Sequence, residues 1–172
     1  MCSLFTLLLL SDLDGKVFRI ASAKEPDLLL SQGRFSDDET EGTVVVKKAI
    51  KDERARKYQF WKFIKVDKAY KIENVNSKHA VLVHFNKKII TVDPNQEGNI
   101  NRKDKNGKKV EWADKWVLYP KDGYYGLVGT ADLVKIGLGK DSKSVVAQPF
   151  TKKSGFPLSL EWDLKEVDPT EL

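Results

Sequence analysis

Residues able to carry nucleophilic or acid–base chemistry are few in this chain. Its 172 residues include one cysteine, Cys2, and two histidines, His79 and His84. Ser-His-Asp or Cys-His catalysis needs an imidazole held against a nucleophile, and no such constellation is legible. His79 reads as a turn residue and His84 as a residue on the surface of a strand. A single cysteine excludes an intramolecular disulfide framework and a cysteine-based zinc cage, and two separated histidines do not make a metal site. Carboxylates are plentiful, 25 Asp and Glu in all, but paired carboxylates arise on any surface so furnished and do not define a glycosidase pair. No Gly-rich loop opens a helix, as binding of nucleotide phosphates would require. The expectation is a protein without catalysis, cofactor or metal, acting by binding.

Charge narrows the partners. Thirty Lys and Arg against the 25 acids give a net charge of +5 and a pI of about 9.1. The densest basic run, Arg102 to Lys109, holds five cations in eight residues around Asn106-Gly107. It reads as a solvated loop with a turn inside it. No aromatic alternates with its cations to stack on bases, so nucleic acid is not expected as a partner. With 41% hydrophobic and 32% charged residues the composition is that of a folded globular domain, not of a disordered chain.

Residues 1–13 form an apolar N-terminal extension centred on Leu4 to Leu10. Seven apolar residues are too few to span a bilayer, so membrane insertion is not expected. No Lys or Arg precedes them and no A-x-A site follows, which favours a cytoplasmic protein; secretion is the alternative if this stretch serves as a signal segment.

The remaining residues, 14–172, read as one domain. Helix signals are confined to Lys47 to Lys57, which has helix formers but almost no apolar stripe, and reads as one helical turn in a loop. Strand signals are short and numerous. They fall at Val17–Ile20, Leu28–Leu30, Thr43–Val46, Phe60–Val66, Tyr70–Ile72, Ala80–Val83, Ile89–Val92, Trp116–Tyr119, Tyr125–Val128, Leu133–Ile136, Ser144–Ala147 and Leu158–Trp162. Asp-Gly, Asn-Gly and Ser-Gly pairs punctuate them.

These strands repeat. An aromatic follows a polar turn in Asp14-Gly15-Lys16-Val17-Phe18, Asp67-Lys68-Ala69-Tyr70 and Asp122-Gly123-Tyr124-Tyr125, so Phe18, Tyr70 and Tyr125 are separated by 52 and 55 residues. Trp61, Trp116 and Trp162 close the units, 55 and 46 residues apart. Three units, about 14–66, 67–121 and 122–167, each hold about four strands. One such unit cannot bury its apolar face alone, whereas three close around a shared core and remove exposed sheet edges. The six aromatics are the expected core of an all-β fold.

At these residues the chain resembles a β-trefoil of the ricin-B-like kind. That family ends its units in Gln-x-Trp; Gln59-Phe60-Trp61 matches it, while Asp114-Lys115-Trp116 and Leu160-Glu161-Trp162 keep only the tryptophan. Galactose recognition in the family implies an Asp on the second strand of a unit. Leu28–Ser31, Ala80–Val83 and Leu133–Ile136 offer none, so a carbohydrate-binding role is the alternative reading and would use a differently built site. Ser144-Val145-Val146-Ala147-Gln148-Pro149-Phe150 and the stretch His84 to Asp93 are similar to fungal β-trefoil protease inhibitors of the cospin-like and mycocypin families.

That resemblance implies a stiff barrel presenting an exposed loop to a serine or cysteine protease. A basic tip would enter the acidic S1 pocket of a trypsin-like enzyme, whereas a Gly-bearing loop alone could plug the groove of a cysteine protease. Two loops are candidates. The first, Ser31 to Glu39, puts Arg34 between Gly33 and Phe35; the second, Gly137 to Lys143, offers Lys140 beside Gly139. Asp37, Asp38, Glu39 and Glu41 oppose docking of the first into an acidic pocket. Oligomeric state is left open.

Overall fold

Residues 13–35, 41–77, 81–85, 88–93, 95, 103–109, 113–131, 133–151 and 157–172 are described by a computed structural model. The apolar extension up to residue 12, together with Asp37, Asp38, Glu39, His79 and Ala80, lies outside the described residues.

Among the described residues twelve strands follow in order: β1 (Val17–Ser22), β2 (Leu28–Phe35), β3 (Glu41–Lys48), β4 (Trp61–Val66), β5 (Ala69–Asn74), β6 (Val81–Phe85), β7 (Lys88–Val92), β8 (Trp116–Lys121), β9 (Tyr124–Gly129), β10 (Val134–Leu138), β11 (Val145–Pro149) and β12 (Trp162–Glu166). Six of them close a barrel. β1 pairs with β4, β4 with β5, β5 with β8, β8 with β9, β9 with β12, and β12 returns to β1, every pair antiparallel. The other six form hairpins, β2–β3, β6–β7 and β10–β11, one per repeat. A barrel capped by three hairpins is the β-trefoil expected from the repeat.

Turn chemistry sets the hairpin connections of the barrel. β8 and β9 meet through Asp122-Gly123, both at positive φ (51° and 86°), the geometry that matches the right-handed twist of flanking strands. Asp67 takes φ 56° at the equivalent β4–β5 turn. Ahead of β1, the Asp14 carboxylate accepts a hydrogen bond from Lys65 N–H at 2.8 Å and Gly15 N–H donates to Phe63 C=O at 2.8 Å.

Inside each repeat the first and fourth strands meet on one aromatic pair. Phe18 lies opposite Trp61, Tyr70 opposite Trp116 and Tyr125 opposite Trp162. All three indoles are fully buried and each donates its Nε1–H to a carbonyl of the second strand of its own repeat. Trp61 donates to Leu30 at 2.9 Å, Trp116 to Leu82 at 2.9 Å and Trp162 to Ile136 at 3.1 Å. Phe63 stands edge-on to Phe18 and Tyr70 with centroids 5.3 and 5.9 Å away, the arrangement that aromatic quadrupoles favour. Tyr125 is half-buried and packs against this core, where Phe18 and Tyr70 lie within it.

Several boundaries differ from those expected. Trp162 opens the last strand of its repeat, as Trp61 and Trp116 do, and does not end it. Leu158–Leu160 is a 3₁₀ turn after Pro157, closed by Leu160 N–H to Pro157 C=O and Glu161 N–H to Leu158 C=O, so β12 begins at Trp162. Leu133 sits before β10 at φ 50°. The helical turn expected over Lys47 to Lys57 is a 3₁₀ turn, Ala55–Gln59, with Asp52 accepting from Ala55 N–H at 2.7 Å.

Replacing any one of Trp61, Trp116 or Trp162 by Phe leaves a buried carbonyl without its donor and a void beside it. Each change is expected to cost about 2–4 kcal/mol, read as a lower urea midpoint at constant m. Losses below about 0.5 kcal/mol at all three positions would show that the indole N–H does not tie the hairpins to the barrel.

Candidate functional site

The two candidate loops have different structures. Gly33, Arg34 and Phe35 are not on a loop: they are the last residues of β2. The β2–β3 ladder shifts register between Gln32 and Phe35, a bulge that bends the strand. Gly33 is there for space. A Cβ at this position would stand 2.2 Å from the Thr43 hydroxyl oxygen, and that hydroxyl donates to Arg34 C=O at 3.2 Å. The glycine thus allows close approach of β3 and does not act as a hinge. Gln32 beside it is buried and donates to Ser77 Oγ at 3.1 Å. Arg34 is exposed, but on a paired strand.

The second candidate is a true turn, with bounds shifted from those expected. Gly137 and Leu138 end β10, and residues 139–144 connect to β11. Asp141 organises this connection. One of its carboxylate oxygens accepts from Lys143 N–H at 3.0 Å, Ser144 N–H at 2.9 Å and Ser144 Oγ–H at 2.7 Å. These donors stabilise the carboxylate and hold its pKa at about 2, below the usual 3.8. Gly139 N–H donates to Ser144 C=O at 2.8 Å and Ser142 N–H to Gly139 C=O at 3.1 Å. Gly139 is buried, and a Cβ on it would lie 2.1 Å from Ser144 Oγ.

The turn is also tied to the rest of the molecule. Val46 N–H donates to Lys143 C=O at 3.2 Å, and Val45 bridges to Ser144. Ser142 Oγ donates to the Glu25 carboxylate in the β1–β2 connection. Lys140 is exposed on this frame. Sequence reading located the lysine but not the aspartate that shapes the turn. The Asp-x-x-Ser spacing at Asp141 and Ser144 was the available signal, since a short side chain that accepts from backbone donors just ahead of it is a turn former.

Gln59, matched above to a family motif, has a structural task. Its carbonyl oxygen accepts from Ile50 N–H at 2.9 Å and its amide donates to Ser31 Oγ at 2.9 Å and Lys48 C=O at 3.0 Å. The equivalent positions diverge: Asp114 pairs with Lys71 at 2.9 Å, and Leu160 is buried.

An aromatic patch was not anticipated. Tyr119 on β8 stands 5.4 Å from Phe150, just after β11, and Lys135 Nζ lies 6.0 Å from the Phe150 ring centre. Burial lowers the pKa of Lys135. Nearby in sequence, the buried Glu161 carboxylate pairs with Lys121 at 3.0 Å. His84 sits half-buried on β6, its N–H donating to Ala113 C=O at 3.1 Å. Among the described residues, no group of three His, Cys, Asp or Glu side chains gathers to hold a metal, and no helix is long and apolar enough to cross a membrane.

Because its folded pKa is depressed, Asp141 contributes stability that is complete above about pH 4 and lost as pH falls through about 2. The Lys143 and Ser144 amide resonances should therefore keep their native positions at pH 3 and move only near pH 2, followed by NMR acid titration. Movement centred near pH 4 would show that the carboxylate does not hold the turn.

No family model matches the chain, and no curated protein does. Solved structures do match. A proteinase inhibitor from Coprinopsis cinerea superposes with a TM-score of 0.62 at 13% identity, covering 88% of this chain and 97% of that one. A Macrolepiota procera ricin B-like lectin, solved with lactose, gives 0.58 at 12% identity, covering 88% and 96%. A designed protein with three-fold symmetry, ThreeFoil, gives 0.63 at 15% identity, covering 90% and 100%. The chain also spans 18% of a longer mosquitocidal holotoxin, at 17% identity and a TM-score of 0.64 over 92% of its own length. Identities this low carry the fold alone: the chain is a β-trefoil, similar in fold to these structures.

Proposed function

We propose that the protein inhibits a protease by presenting the 139–144 turn, with Lys140 as the residue that enters the enzyme's specificity pocket. The observation that carries this reading is the turn itself: an exposed lysine on a connection fixed by Asp141, by Gly139 and by bonds to two other parts of the barrel. A segment already ordered loses little conformational entropy on binding, so more of its contact energy becomes affinity. A lysine tip suits the acidic S1 pocket of a trypsin-like serine protease. Arg34 suits this role less well, because it lies within β2, at the bulge between the Gln32–Val44 and Phe35–Gly42 pairs with β3. The resemblance of Ser144 to Phe150 to the fungal inhibitors and the fold shared with the Coprinopsis inhibitor support the same reading.

Carbohydrate binding is the second reading, favoured by the Tyr119–Phe150 pair, whose rings offer a stacking surface next to the Lys135 ammonium.

Inhibition is tested with trypsin, chymotrypsin, subtilisin, papain and a legumain-type protease. Trypsin is expected to be inhibited, and Lys140→Ala to weaken that at least a hundredfold, the scale of a central interface anchor, while Arg34→Ala changes it less than threefold. Equal inhibition by Lys140→Ala and the parent protein would overturn the assignment of this turn. A blank panel, with array binding to glycans that Phe150→Ala abolishes, would establish the carbohydrate reading instead.

A further inference from the structure

Of the seven asparagines in the chain, one, Asn106, is followed by glycine. Asn106-Gly107 lies in the turn inside the basic run, and that turn is built around Asp104. Lys103 and Lys109 bridge at its base, Asp104 N–H donates to Lys108 C=O at 2.8 Å, and Gly107 N–H donates to Asp104 C=O at 2.9 Å. One Asp104 carboxylate oxygen accepts from Asn106 N–H at 2.8 Å and from Lys108 N–H at 3.0 Å. Gly107 takes φ 77°, and a Cβ placed on it would meet nothing within 4 Å. Residues 103–109 are all exposed. The Asn106 carboxamide enters no hydrogen bond among the described residues.

Asn106 is thus an open electrophile beside a nucleophile that is kept occupied. The Gly107 backbone nitrogen, with no side chain to obstruct it, can attack Cγ of Asn106. Its proton passes to water, the new N–Cγ bond closes a five-membered imide, and the Cγ–Nδ2 bond breaks with release of ammonia. Water then opens the ring at either carbonyl, which leaves aspartate or isoaspartate at position 106. In the closed turn the same N–H is held by Asp104 C=O, and the amides on both sides of it are pinned to the Asp104 carboxylate. Ring closure therefore needs the turn to open.

We propose that Asn106 is a site of spontaneous deamidation in this protein and that the turn built on Asp104 sets its rate. Opening of an exposed turn is a local event and does not require the barrel to unfold. Lys105 and Lys108 flank the pair in sequence and favour the anionic nitrogen that attacks. The product carboxylate replaces a neutral amide two residues from Asp104 and lowers the net charge of +5 by one. In the isoaspartate form the backbone is one carbon longer, so the bonds across the turn are not remade as before and the loop stays open. Neither Lys140 nor a protease enters this reaction, which stands apart from the inhibitor reading.

The test is incubation of the full chain in warm neutral buffer, with and without guanidinium chloride, followed by peptide mass mapping and labelling by an isoaspartyl methyltransferase. Asn106 should convert ahead of every other asparagine. Its conversion should be about fivefold slower in the folded chain than in denaturant, the scale of one net hydrogen bond holding the turn closed. Asp104→Ala should bring the folded rate to within about twofold of the denatured one, with an unaltered urea midpoint to show that the barrel is intact. In aged protein the amide resonances of residues 103–109 should move while those of β1 to β12 keep their positions. Asn106→Gln should take up no label in this loop. Earlier conversion of another asparagine, equal rates in folded and denatured chain, an unchanged rate in Asp104→Ala, or no conversion under either condition would each overturn the proposal.

Discussion

One hydrogen bond, made three times, holds the architecture together. A tryptophan at the head of a barrel strand donates its indole N–H to a carbonyl on the second strand of its repeat. The indole is the largest apolar group available, yet it carries one obligatory donor that becomes costly when buried unpaired. Pointing that donor at a strand carbonyl settles both needs and fixes the distance between barrel and hairpin. The barrel depends on this fixture. Between repeats its strands meet over ladders of five or six residue pairs, but within the second and third repeats the link is a single pair, aromatic against tryptophan. Without rigid indoles those narrow seams would have little else to close them.

Symmetry of this kind makes the departures from it informative. All repeats carry the tryptophan, but the position two residues earlier holds a buried Gln59, an ion-paired Asp114 and a buried Leu160. These side chains solve three local packing problems and need not share a function. The caps depart further. Two of the hairpins fuse through a ladder, while the third is held by one bridge, one backbone bond and the Ser142–Glu25 contact. The third hairpin is thus tied to its neighbours mainly at its turn, which carries the exposed lysine.

Legibility in the sequence followed the same division. Twelve strands could be read because each repeat follows local rules: a polar turn begun by Asp, an aromatic start, and a tryptophan 37 to 46 residues after it. The errors came where a residue's role is set by something distant in sequence. Gly33 looks like a loop glycine, and only the passage of Thr43 beside it explains a glycine in a strand. Leu158-Ser159-Leu160 alternates like a strand, yet the carbonyls of Pro157 and Leu158 turn it into a 3₁₀ segment. The Tyr119–Phe150 contact joins residues 31 apart in the chain and has no local signature at all.

Asp141 shows how a small feature of such a scaffold acquires functional weight. Its carboxylate closes a short connection whose backbone also reaches β3, so the position of Lys140 is set by the barrel rather than by the turn alone. A loop shaped only by its own sequence would sample many conformations and lose them on binding. Here that ordering is completed during folding, at the cost of a buried glycine at 139 and a left-handed serine at 142. Strained or sterically demanding positions persist when the surrounding structure over-determines them. The rigidity that the tryptophans give the barrel is therefore what allows a turn of six residues to hold the backbone of Lys140 in a fixed place.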